Sequence, residues 1–158
     1  MKLLKTRPLV WLLMLLLLFS RAFGEAFPET LQAALEQEGI SSTLYQVESG
    51  TWMLCHTYNH GVFGERELRW YFREGEEGCT LVLWDLLNGQ QMETLLPLLN
   101  ELNTQSPYFT FVFDTSDSSV YLYADPLFAP EDCARVCLEY LAECGNALDL
   151  AAGLLATD

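Results

Sequence analysis

The sequence predicts an α+β fold: an antiparallel sheet of about six strands, with helices at the N-terminus, in the middle and at the C-terminus. Three observations lead there. Apolar residues recur at helical spacing in three separated stretches, the period changes to two between them, and Leu95–Asp125 holds a helix, a short loop and a hairpin in immediate succession.

Residues 1–24 read as a signal peptide. Lys2, Lys5 and Arg7 supply the positive end, Leu9–Phe19 is an unbroken apolar run, and Ala22-Phe-Gly24 offers small residues for cleavage. The run is short of the ~20 apolar residues that span a bilayer, so export with cleavage is expected, an uncleaved membrane anchor being the alternative. Removal takes four of the 8 basic residues and none of the 22 acidic ones, which leaves a net charge of −18 and no lysine. Such a surface repels polyanions, so nucleic acid and anionic membrane faces are disfavoured as partners. Residues 25–158 fit one domain with one core.

From Phe27 to Glu38 a helix is expected. Pro28 and Glu29 suit its first turn, Leu31, Ala34 and Leu35 its buried stripe, and Gly39 its end. Strands follow at Ser42–Val47, Thr51–Tyr58, Glu67–Arg73 and Cys79–Leu86, joined by glycine-bearing turns. In the central helix Met92, Leu95, Leu96, Leu99 and Leu102 form the stripe, and Pro97 calls for a kink or a late start. Phe109–Phe113 and Val120–Ala124 make the hairpin around a polar loop. Pro130-Glu-Asp132 opens the last helix, with Val136, Cys137, Tyr140, Leu141 and Cys144 on its buried side. Gly145-Asn146 is expected to break it, leaving a short helix over Ala147–Ala156.

Leu98-Leu-Asn-Glu-Leu-Asn103, the aromatic strand Phe111-Val-Phe-Asp114, a polar turn, Val120-Tyr-Leu-Tyr-Ala-Asp125 and a long C-terminal helix resemble the YbjN-like domain, whose fold is shared with type III secretion chaperones. The resemblance is clear from Gln90 to Leu141 and follows by element order from Phe27. It implies a compact α+β module, often dimeric among those chaperones, that acts by protein binding without catalysis. It carries no catalytic residues over. The leader departs from the pattern, because those chaperones work in the cytosol.

No motif for a nucleophile elbow, a paired zinc site or a phosphate loop is present. Cys55, Cys79, Cys133, Cys137 and Cys144 are an odd number for an exported chain. The last three fall within about 40° of one another on a helix, where buried free thiols are the expectation, a single disulfide or a redox or metal role being the alternatives. His56 and His60, four residues apart on a strand and its outgoing loop, stand about 13 Å apart when extended, too far to chelate one ion unless the loop curls back. Cys55 and His56 are the residues an extracytoplasmic enzyme would use, but strand neighbours point to opposite faces. Asp114, Asp117 and Asp125 bracket a hairpin and read as turn formers, with calcium as the sharper alternative. Arg66, Arg69 and Arg73 lie on or beside one strand, expected to pair with nearby glutamates or to dock an acidic ligand.

Aromatic residues crowd the predicted strands on both faces. Trp70, Phe72, Trp84, Phe111, Phe113, Tyr121 and Tyr123 are the expected interaction surface, for a protein or peptide partner or a second copy of the chain, with burial as core under helices on both faces as the alternative. The resulting expectation is an exported, non-catalytic YbjN-like binding module, chaperone-like or regulatory, without cofactor or metal. The alternatives are a membrane-anchored sensor of a cation or small ligand and an enzyme built on Cys55 and His56.

Overall fold

The computed structural model describes residues 27–89 and 92–156, so the expected leader lies outside the described part. Residues 27–37 form helix α1, in which Leu31 and Leu35 are fully buried. Gly39, at φ +77°, turns the chain out of it. The Gly39 N–H donates to the Glu36 carbonyl (3.0 Å) and the Ile40 N–H to the Leu35 carbonyl (2.8 Å). These are the two bonds of a Schellman ending, and they satisfy carbonyls that the last turn leaves open.

Strands β1 (Ser42–Glu48), β2 (Thr51–His60), β3 (Gly64–Arg73) and β4 (Thr80–Asn88) follow as consecutive antiparallel neighbours. Helix α2 (Met92–Gln105) then carries the chain past the sheet to its far edge, β5 (Thr110–Asp114). The hairpin returns as β6 (Ser119–Ala124), which pairs with β4. The spatial order is therefore β1-β2-β3-β4-β6-β5. A single 3-10 turn, Pro130–Asp132, leads into α3 (Cys133–Leu155).

The α+β class and six-stranded antiparallel sheet are as the sequence predicts, with helices near the start, middle and end. Successive side chains on a strand point to opposite faces, and here one set is buried. Leu54, Leu68, Trp70, Phe72, Leu81, Leu83, Phe111 and Leu122 share one core cluster with Leu31 and Leu35 of α1, Leu95, Leu99 and Leu102 of α2, and Cys137, Cys144 and Leu148 of α3. Among the described residues all three helices thus contribute to the core on one side of the sheet. Full burial of a side chain such as Leu54 or Leu122 contributes roughly 1.5–3 kcal/mol before entropy is charged against it.

One helix expectation is narrowed and another is corrected. Pro97 lies inside α2, with helix on both sides, so the helix does not begin there. Nor does Gly145-Asn146 break α3, which is continuous. A Cβ at Gly145 would stand 2.9 Å from the Tyr58 hydroxyl, so the glycine serves a close approach of α3 to β2. The Asn146 side chain donates to Glu143 one turn back (3.1 Å) instead of competing with the helix.

The end of α2 also closes one edge of the sheet. The Asn103 side chain accepts from the Phe111 N–H (2.6 Å) and donates to the Phe111 carbonyl (3.0 Å), taking the place of a further strand beside β5. Replacing Asn103 by Ala leaves both groups to water or to nothing. It should lower stability by about 1–2 kcal/mol, read as an earlier urea midpoint. Asn100→Ala, at an exposed position of the same helix, should change it by less than about 0.5 kcal/mol.

Candidate functional site

The second face of the sheet carries the residues of opposite parity. Met53 stands across from Tyr71, Tyr71 from Thr80, Val82 from Tyr123, and Val112 from Tyr121. None of these side chains belongs to the helix-packed core cluster. Tyr71, Trp84, Tyr121, Tyr123, Met53 and Val112 are half-buried, so they shield one another without being fully covered by the described residues. The ladder holds this face in place.

Trp84 is the centre of the strip. Between Leu83, opposite Leu122, and Leu87, opposite Val120, three residues of β4 face only Tyr121 of β6. Asp85 absorbs the excess at φ +55°, a conformation a short polar side chain tolerates better than most. The bulge leaves Leu86 in the core and lays Trp84 against Tyr121, ring centroids 5.0 Å apart and planes at 36°. The Arg69 guanidinium lies 5.9 Å from the Trp84 ring centre and is ion-paired with Glu67. That arrangement is a cation–π contact added to a tilted aromatic pair.

The expected interaction surface is therefore split by the sheet. Trp70, Phe72 and Phe111 are buried beneath the helices, so these three are not surface residues, and half-buried Phe113 packs against that core. Trp84, Tyr121 and Tyr123 do lie on the open face, joined by Tyr71. Their alternation with core residues follows from the period of two; which set the helices cover does not.

Cys55 and His56 point to opposite faces, so the thiol and the imidazole cannot act as nucleophile and base. Burial and the Glu67 carboxylate push the Cys55 thiol up, with Arg69 opposing, which is the reverse of an activated thiolate. His56 is 4 % exposed on the core face beside Ser42, and its Nε2 has no hydrogen-bond partner. His60 turns instead to α3. Its Nδ1 accepts from the Val62 N–H (3.3 Å), which puts the proton on Nε2 and directs it to Asp149 (3.2 Å). Asp149 lies 89 residues away in the chain, and no local signal points to it.

Asp114 accepts from the backbone and hydroxyl of Ser116, and Asp117 from the Ser119 N–H, so both carboxylates shape the hairpin turn. Asp125 accepts from Thr80 (2.8 Å) and Tyr123. Arg73 pairs with Glu76 (3.5 Å), while Arg66 donates to the Glu65 carbonyl. Among the described residues no group of three or more His, Cys, Asp or Glu is placed to hold a metal ion, and no helix is long and apolar enough to cross a membrane.

All five cysteines are free and buried. Cys133, Cys137 and Cys144 do share the buried side of α3, and desolvation pushes the Cys144 thiol up to about 12. Spacing on α3 does not reveal that Cys79, just ahead of β4, joins Cys133 and Cys137 in one core cluster and is coupled to the Cys137 thiol.

Comparison of the chain with protein-family models, with curated proteins and with solved structures finds no match.

His56 supplies a pH test of this geometry. Burial lowers its pKa below the ordinary 6.5, against a smaller upward pull from the Thr57 carbonyl. The unfolded chain therefore takes up the proton first. Its contribution to stability is present above about pH 6.5 and falls with pH until the folded value is reached, by at most about 1.4 kcal/mol per unit. His56→Leu should remove that part of the slope when urea midpoints of the two proteins are compared between about pH 5 and about pH 8.

Proposed function

We propose that this chain is a non-catalytic protein- or peptide-binding module and that it engages its partner through the open face centred on Trp84, Tyr71, Tyr121 and Tyr123. The carrying observation is a six-stranded sheet with its helices packed on one side and a contiguous aromatic strip on the other. Half-buried aromatic residues rimmed by charged ones have the composition of an interface core, since they supply large area at low entropic cost. Arg69 and Glu67 at the rim satisfy each other and are free to re-pair across a contact.

The edges of the sheet support the same reading. On β5 the Phe111 backbone groups are taken by Asn103, whereas β1 is an edge strand with Tyr45 and Val47 about half exposed. An extended segment could add beside β1 and cross onto the open face. Membership of the YbjN-like family, with its chaperone-like or regulatory binding role, and export by the leader belong to this proposal and rest on the residue patterns described above. The formal charge of −14 favours a basic partner over an acidic one.

The test combines affinity capture from the native extracytoplasmic fraction with light scattering over a range of concentrations. A stoichiometric polypeptide partner, or a concentration-dependent dimer, is expected for the unaltered chain. Tyr121→Glu and Tyr71→Glu should weaken that association by about tenfold or more while leaving the circular dichroism spectrum and melting profile near those of the parent. An unaltered chain that stays monomeric and recovers no polypeptide at low salt would overturn the proposal.

A further inference from the structure

Where β3, β4 and β6 end, the open face deepens into a cleft of about 500 Å³ lined by Arg73, Glu76, Gly78, Cys79, Tyr123 and Asp125. Its floor is backbone: a Cβ at Gly78 would stand 2.3 Å from the Pro126 carbonyl oxygen, so any side chain there would displace the floor. The next residue, Cys79, donates its N–H to that same oxygen (3.1 Å) and is 5 % exposed. Cys79 belongs to the same core cluster as Cys137, on the second turn of α3, and Cys133, and the Cys137 thiol is coupled to both of the others. Cys133 reaches the Phe27 carbonyl (3.7 Å) at the start of the described chain. Of these three cysteines Cys79 alone lines the cleft, while Cys133 and Cys137 are fully buried.

We propose that Cys79 and Cys137 form a disulfide by exchange with a small disulfide compound admitted through this cleft, and that the cleft favours cationic disulfides. The selectivity follows from its charges. Glu76, Glu77 and Asp125 face one guanidinium, Arg73, and that group is already paired with Glu76. Thr80 and Tyr123 hold the two Asp125 oxygens in place by donating to them. A cation gains in that field and an anion loses.

The exchange balances in two steps. The Cys79 thiolate, its proton released to solvent, attacks one sulfur of the compound RSSR, giving a Cys79–S–SR mixed disulfide and RS⁻. The Cys137 sulfur then attacks the Cys79 sulfur, forming the Cys79–Cys137 bond and expelling the second RS⁻. The two protein protons end on two RSH, so the protein is oxidised by two electrons and RSSR is reduced by the same two. The order is set by access, because the cleft reaches Cys79 and not Cys137. The Cys137 thiol is held up in the same sense: contact with Cys133 lowers it, but contact with Cys79 and burial more than offset this. The product ties the start of β4 to α3, two elements far apart in the chain.

The experiment treats the reduced, folded full chain with cystamine or with oxidised glutathione at low ionic strength and follows intact mass and non-reduced peptide maps. Cystamine should yield a protein lighter by two hydrogens, without a retained adduct, in which the Cys79 peptide is linked to the Cys137 peptide. It should act about tenfold faster than oxidised glutathione, a gap that closes in high salt. Cys137→Ala should trap the cystamine half on Cys79, and Cys79→Ala should lose both products. A folded protein unchanged by either reagent, a first adduct on Cys55 or Cys144, or a link between Cys79 and Cys133 would overturn the pairing. A faster reaction with oxidised glutathione would overturn the cationic preference. Should Cys137→Ala fail to fold, the peptide map of the unaltered chain decides alone.

Discussion

One-sided burial organises this molecule. A strand offers two faces because its side chains alternate, and among the described residues the three helices cover only one of them. Trp70 and Phe72 are held under the helices at 0 % and 1 % exposure, while Tyr71 between them must face the other way. A slip of one residue in any ladder would exchange the two sets and place Arg69 and Arg73 against α2 or α3. The burial of Leu54, Trp70, Leu81 and Leu122 therefore fixes the register of the whole sheet.

The crossover of α2 depends on that register and determines what the edges can do. By carrying the chain past β4 and β6, α2 makes β5 an edge and then closes it, since Asn103 presents an amide with the donor and acceptor that a neighbouring strand would have offered. The short Leu98–Asn103 motif thus has a physical meaning. Its leucines bury against the sheet, and its last asparagine satisfies the strand that follows. At the opposite edge no such device covers β1 among the described residues. The molecule is asymmetric in where it can accept another chain.

The open face and the cleft are continuous through Tyr123, Thr80 and Arg73, yet their chemistry differs. Along the strip, aromatic rings shield one another and the arginines answer to glutamates, so the surface is apolar with a balanced rim. At the Gly78 end the carboxylates outnumber the guanidinium, and Cys79 is among the lining residues. Binding of a polypeptide and thiol exchange would thus occupy adjoining regions of one face. Each depends on β4, whose bulge aims Trp84 outward while its first residues stand beside Cys79.

Local periodicity was enough to settle the fold class, the four strands ahead of the central helix, the Leu31–Leu35 stripe with its Gly39 ending, and the turn role of Asp114 and Asp117. These depend on neighbours within a few residues, which the sequence displays directly. It also placed Cys55 and His56 on opposite faces. It could not say which aromatic set the helices would cover, since Trp70 and Tyr71 are equally apolar in a linear reading. Long-range contacts decided that, as they decided that Gly145 continues α3 against Tyr58, that His60 finds Asp149, and that Cys79 joins Cys137 in the core. In each case the deciding partner lies on an element distant in the chain, and only packing at close range selects among side chains that local spacing leaves equivalent.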